Sequence, residues 1–233
     1  MAVSAGHFGR YCLLMNSYSP TERTQVRRLK KRATYEKAAV HAILDEARVC
    51  HIGFNAGPHP IVIPTLFARD GERLYIHGSG ASRMLRTLAT EVEICLTVSL
   101  FDGLVLARSA FHHSMNYRSV VVLGRARLVS ERDEMLHALR LITNHVVPNR
   151  WQEVREPNDL ELKQTNVLAL SLDEVSAKVR NGPPIDDEED YALDVWAGVI
   201  PMRTKLCEPI ADSRLKTTAP PIDLARFGPT YIR

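Results

Sequence analysis

Apolar positions along the chain change their period several times, and each change marks an element. In 35–49, Ala39, Val40, Ile43, Leu44 and Ala47 recur at helical spacing, which predicts a helix with Thr34 as its N-cap. Alternation then takes over. Segments 49–54 and 60–68 read as strands joined by the turn residues Asn55-Ala56-Gly57-Pro58, and Asp70-Gly71 marks a tight turn into a strand at 73–77. A short helix is expected over 82–90, with Met84, Leu85 and Leu88 on one face. Segments 93–101 and 104–110 flank Asp102-Gly103, a further hairpin signal, and 119–129 is a long β-branched strand. Ser130 with Asp133 opens a helix over 131–147, Asn158 with Glu161 caps a shorter one, and 167–172 and 175–180 are two final strands.

About seven strands, with helices inserted between antiparallel hairpins, make the chain α+β and fit a small antiparallel barrel better than an alternating βαβ sheet. Residues 1–20 lack periodicity and read as a disordered lead-in. Residues 21–203 form one domain, and 204–233, with Pro209, Pro220, Pro221 and Pro229, form a loose tail.

Composition narrows the class. At 45% hydrophobic and 24% charged over 233 residues the chain has globular usage. No apolar run approaches the roughly 18 residues needed to cross a bilayer. Cys12, Cys50, Cys95 and Cys207 stand far apart without CxxC spacing, and the first residues do not form a secretory signal. A reduced, cytoplasmic protein without membrane contact is the expectation. Charge is local: 21–37 carries Arg23, Arg27, Arg28, Lys30, Lys31, Arg32 and Lys37 against Glu22 and Glu36, while the whole chain is only +3. A basic arm before a slightly acidic body argues for a solvated or subunit-clasping arm and against a nucleic-acid face.

The segment with most chemistry is Leu74-Tyr75-Ile76-His77-Gly78-Ser79-Gly80-Ala81-Ser82-Arg83. A strand ends, small residues follow, and a helix begins. That order lets backbone N–H groups approach an anion, with the Ser79 and Ser82 hydroxyls and the Arg83 fork as further donors. An ordinary turn with Ser82 as N-cap is the alternative. Neither GxGxxG nor GxxxxGK[ST] is present. Lys178 and Arg180 alternate on one strand and so share a face. His112 and His113, as strand neighbours, point apart and have no carboxylate or Cys at ligand spacing, so no metal site is expected. Ser109 and Ser114 beside them lack a nucleophile elbow.

Three long stretches, VIPTLFARDGERLYIHGSGASRMLRTL (62–88), DGLVLARSAFHHSMNYRSVVVLGRAR (102–127) and the region 176–199, resemble the flavin-nucleotide-binding, pyridoxamine 5′-phosphate oxidase-like family. Within it, the chain is similar to the branch with nitroimidazole-reductase-like proteins, over about 21–203. The resemblance implies an FMN-binding antiparallel split β-barrel with peripheral helices, dimeric, with the flavin in the groove between subunits. It maps the flavin phosphate onto His77, Ser79, Ser82, Arg83 and Met84, and the strand under the isoalloxazine onto Ile63, Pro64 and Thr65. Tyr117 and Ser119 then lie at the dimer seam, Lys178 and Arg180 near the reduced ring's negative edge, and Trp196 against the partner's flavin. The family's Arg-Lys phosphate pair is Arg83-Met84 here, and its C-terminal substrate motif is not visible in 176–203. The implied function is an FMN-dependent oxidoreductase acting on a small molecule, by nitro-group reduction or by amine or pyridoxamine-like oxidation. The alternative is a non-catalytic flavin, haem or deazaflavin binder, and a module built on the basic arm is the third reading.

Overall fold

A computed structural model describes residues 16–215 and 222–227. Its strands are β1 (Ala33–Thr34), β2 (Val49–Ala56), β3 (His59–Asp70), β4 (Arg73–Ser79), β5 (Glu93–Leu106), β6 (Ser114–Arg125), β7 (Arg127–Leu128), β8 (Thr165–Ser171), β9 (Glu174–Arg180) and β10 (Gly198–Pro201). They form one sheet in the order β1-β9-β6-β5-β2-β3-β4-β8-β7, with β10 added beside β5. Neighbours pair antiparallel throughout. Strands β8 and β9 stand near opposite ends of this path, yet only Leu172 and Asp173 separate them in sequence. Such a link forces the sheet to curl on itself. The result is a barrel split between β8 and β9, matching the expected architecture.

Strict alternation fills the inside. Cys50, Ile52 and Phe54 of β2, Leu96 and Val98 of β5, Val120 and Val122 of β6, Leu168 and Leu170 of β8, and Val175 and Ala177 of β9 are buried together. Helix α1 (Lys37–Glu46) adds Val40, Ile43 and Leu44 to this core, and α2 (Arg83–Leu88) adds Met84, Leu85 and Leu88. Helix α3 (Arg132–Val146) packs outside, where Ala138 and Ile142 cover Ala68, Tyr75, Val167 and Ala169. Helix α4 (Asp159–Gln164) starts at the capping box foreseen for Asn158 and Glu161. No helix among the described residues is long and apolar enough to cross a membrane.

Several local expectations shift. The 35–49 helix is α1 alone, capped at Glu36 instead of Thr34, because Val49 is already committed to the β2 ladder opposite Leu66. Asp102-Gly103 is not a hairpin. Strand β5 runs straight through it, with a bulge between Phe101 and Gly103 against β6, and the true connection is 107–113. Ser130 makes no capping bond; Glu131 precedes α3. The lead-in expected to run to residue 20 falls partly outside the described residues. Tyr18, within it, is buried and donates to Glu72 Oε2 at 2.7 Å. Part of the basic arm is structural, since Arg23 pairs with Glu93 and Glu174 and Ala33-Thr34 extends the sheet beside β9.

Gly103 is where β10 closes on β5. An added Cβ would lie 2.9 Å from the Ile200 carbonyl oxygen, a backbone atom with nowhere to go. Gly103→Ala is therefore expected to loosen β10, at about 1–3 kcal/mol for overpacking. Hydrogen exchange should speed up at the amides of 198–200 while those of β2 and β6 keep their protection.

Candidate functional site

Antiparallel partners share a face, so the register fixes what lies on the outside of the barrel. Across β2, β5, β6 and β9 the outward rows are His51–Thr97–Val121–Ser176, then Ser99–Ser119–Lys178, then Phe101–Tyr117–Arg180. On the far side of β2, His51 faces Pro64 and Val49 faces Leu66. Beyond the bulge the same face continues as Leu104, flanked by Met115 of β6 and Ile200 of β10. Val62, Phe101, Leu104, Met115 and Ile200 are all exposed. Towards β9 the face closes over, with Ser176 and Arg180 buried.

The expected site residues divide between this face and the β4–α2 loop. Pro64, Tyr117, Ser119, Lys178 and Arg180 lie on the outer face. Ile63 and Thr65 point inward, and the Cys50 thiol donates to the Thr65 carbonyl at 3.6 Å, so these two offer only backbone. That backbone is accessible: β3 pairs with β4 only from Phe67 onward, which leaves the edge of 61–66 open.

Arg180 is only 8% exposed, and its guanidinium donates to Asn116 Oδ1, to the Gly182 carbonyl at 2.9 Å and to the Pro183 carbonyl at 3.0 Å. All three acceptors are neutral. Among the described residues no carboxylate pairs with it, and burial together with nearby Arg32 pulls its pKa down. A buried cation without an anion is costly.

In the loop, the Gly80 N–H goes to the Gln164 carbonyl at 2.8 Å, the Ala81 N–H to Ser79 Oγ at 3.2 Å and the Ser82 N–H to the Ser79 carbonyl at 2.9 Å. Three amides expected to cradle a phosphate are thus already engaged. Met84 is buried in the core, so its side chain cannot reach a ligand from there. Arg83 and Arg86 remain exposed, with no ion-pair partner among the described residues. His77 is largely buried, burial lowers its pKa, and its Nδ1 has no hydrogen-bond partner.

The 107–113 connection is braced from a distance. Asp186 has a fully buried carboxylate that accepts from the Arg108 N–H at 2.9 Å and the Arg108 guanidinium at 3.1 Å. The same loop orients both histidines. His112 Nε2 meets Asp187 Oδ2 at 3.2 Å, and His113 Nδ1 meets the Ser109 carbonyl at 2.8 Å. Trp196 is exposed, its ring lying over Gly198, where an added Cβ would be 3.0 Å from the indole.

Residues 36–179 match the family model described as pyridoxamine 5′-phosphate oxidase. The chain belongs to the pyridoxamine 5′-phosphate oxidase family. Among solved structures it is similar to the flavocytochrome Anf3 from Azotobacter vinelandii, at 44% identity over 87% of this chain and 94% of that one, with a TM-score of 0.82. It is also similar to the FAD and heme binding protein from Mycobacterium smegmatis, at 32% identity over 82% and 94%, TM-score 0.78. A putative 5-nitroimidazole antibiotic resistance protein from Bacteroides thetaiotaomicron shares the fold at 22% identity over 63% and 86%, TM-score 0.53. No curated protein matches the chain.

Sequence reasoning missed Asn116, which accepts from the Arg180 guanidinium, and Asp186, which braces the 107–113 connection. Asn116 had no distinguishing signal, standing among Ser114, Met115, Tyr117, Arg118 and Ser119; Asp186 was hidden in an acidic run. Burial raises the Asp186 carboxyl, but the bonds from Arg108 and from the Ser109 amide outweigh it, and the net pKa is lowered. A lowered folded pKa contributes stability above the unfolded Asp range, lost as pH falls through the folded value. Acidification below the ordinary Asp range should therefore release 181–192, seen as faster proteolysis there. Asp186→Asn should show that release already at neutral pH, with a flatter acid dependence.

Proposed function

We propose that the chain is a flavin-dependent oxidoreductase that works as a homodimer, with the flavin nucleotide on the outer face between two copies. The observation that carries this reading is Arg180, a buried cation with only neutral partners on the face that also bears Lys178 and Tyr117. An anionic occupant supplies what it lacks. The open 61–66 edge of β3 offers backbone donors and acceptors to a polar ring edge, and the exposed Val62 and Phe101 suit burial against a second copy.

The names of the two relatives above 30% identity pair a flavin with haem, and the Mycobacterium smegmatis one specifies FAD, which favours FAD with haem over FMN alone. The described histidines fit haem as a donor set, because several rings retain an unbonded nitrogen. When bound, a flavin takes up electrons in pairs and a haem passes them singly, so the two together suit transfer from a reduced small molecule to a one-electron acceptor. The chain's own part is to bind and orient: Arg180 and Lys178 hold negative charge at the ring, Arg83 and Arg86 meet phosphate, and the dimer seam excludes water.

Four measurements test this reading. The purified protein should carry a flavin absorption band, chromatography of the released nucleotide separates FAD from FMN, and light scattering should give twice the chain mass. A colourless monomer would end the proposal. In titrations of flavin-stripped protein, Arg83→Ala and Arg180→Met should each weaken binding roughly 10- to 100-fold, since a hydrogen bond to a charged group contributes about 1.5–3 kcal/mol. Lysine at 83 should restore only part, lacking the fork. Unchanged affinity in Arg83→Ala would put the phosphate elsewhere.

A further inference from the structure

We propose that His113 is the axial ligand this chain offers to a haem iron, through Nε2, on the apolar platform formed by β10, β5 and β6. The proposal rests on the haem reading above. An iron ligand needs a neutral imidazole whose outer nitrogen carries a lone pair, whose other N–H is held, and which borders apolar surface broad enough to shelter a macrocycle.

The described histidines sort by which nitrogen is engaged. His41, His112, His137 and His145 all use Nε2, towards Tyr18, Asp187, Asp70 and the Ala47 carbonyl respectively. On His137 the Nδ1 is also engaged, by Arg140 at 3.1 Å, and on the other three only Nδ1 is left, beside Cβ, where the ring's own backbone would strike an approaching porphyrin. His51, His59 and His77 have no orienting bond at either nitrogen, and His77 buries its Nδ1 besides. His113 has the opposite arrangement. A carbonyl oxygen can only accept, so the 2.8 Å contact with the Ser109 carbonyl puts the proton on Nδ1 and leaves the Nε2 lone pair free on an exposed ring.

The surroundings agree. The residue that orients His113 is itself anchored, because Asp186 accepts from the Ser109 and Arg108 N–H groups on the N-terminal side of the Ser109 carbonyl. Two residues before His113, Phe111 is 89% exposed, and Leu104, Met115 and Ile200 lie side by side across three strands, 41%, 39% and 46% exposed. That row is apolar and exposed, as a porphyrin face requires.

The test reconstitutes the full-length, flavin-loaded protein with ferric haem and follows the Soret band, electron paramagnetic resonance and the iron–histidine stretch in Raman spectra. In His113→Ala the wild-type spectrum should be lost and haem retention should fall by about 100-fold or more, while flavin content and circular dichroism stay unchanged. Added imidazole should restore the spectrum, which a merely structural defect would not allow. His112→Ala should keep the wild-type spectrum. A wild-type spectrum in His113→Ala, or its loss in His112→Ala alone, would overturn the assignment while leaving haem binding intact. Wild-type protein that retains flavin but takes up no haem would overturn the haem reading and this proposal with it.

Discussion

Everything in this fold depends on the two-residue period of a handful of paired strands. A strand that sends Val98 or Val120 into the barrel must send Ser99 or Ser119 out of it. The interior positions are close-packed and closed by α1 and α2, and their exterior neighbours have no choice of location. Core and site are thus the same strands read at alternate positions. An outer face of this kind is as rigid as the core behind it, and it needs no separate scaffold.

Charge does the remaining positioning at places where alternation gives no help. Arg118 stands at the barrel mouth between Asp102 at the bulge and Glu46 at the end of α1, with contacts of 2.7–2.9 Å to both carboxylates. It ties the helix to the strand that carries the outer face. Asp186 does the same between segments far apart in the chain. Arg180 is the exception, since its partners are neutral and its charge stays uncompensated, in contrast to Arg118. Balanced charges hold the frame here, and the unbalanced one lies where an anion has most to gain.

The alternation was legible in the sequence, so the barrel and most strands could be read from it, as could the small-residue loop before Arg83. Other features were not, for identifiable reasons. Asp-Gly is a turn signal, but only pairing with β6 over the whole of β5 shows that the chain passes straight on with a bulge. Tyr18 has no periodic neighbours, and its burial depends on His41 and Glu72, remote in sequence. The spacing of Lys178 and Arg180 put them on one face, but the burial of Arg180 under Asn116 is a tertiary fact. His112 and His113 looked equivalent as letters. What separates them is which ring nitrogen meets which oxygen, and no pattern of residues records that.

The bulge at Asp102 is in effect a dislocation in the lattice of the sheet. Before it the odd-numbered positions of β5 face outward; after it Leu104 does so, still aligned with Met115 across the ladder. That phase slip makes chain length at this point a coded quantity. Removing one residue would turn the tip of β5 over, bringing Val105 to the surface and Leu104 inward, while a change of two would preserve the pattern. Insertions and deletions between Phe101 and Leu104 are therefore filtered by parity before any side chain is chosen.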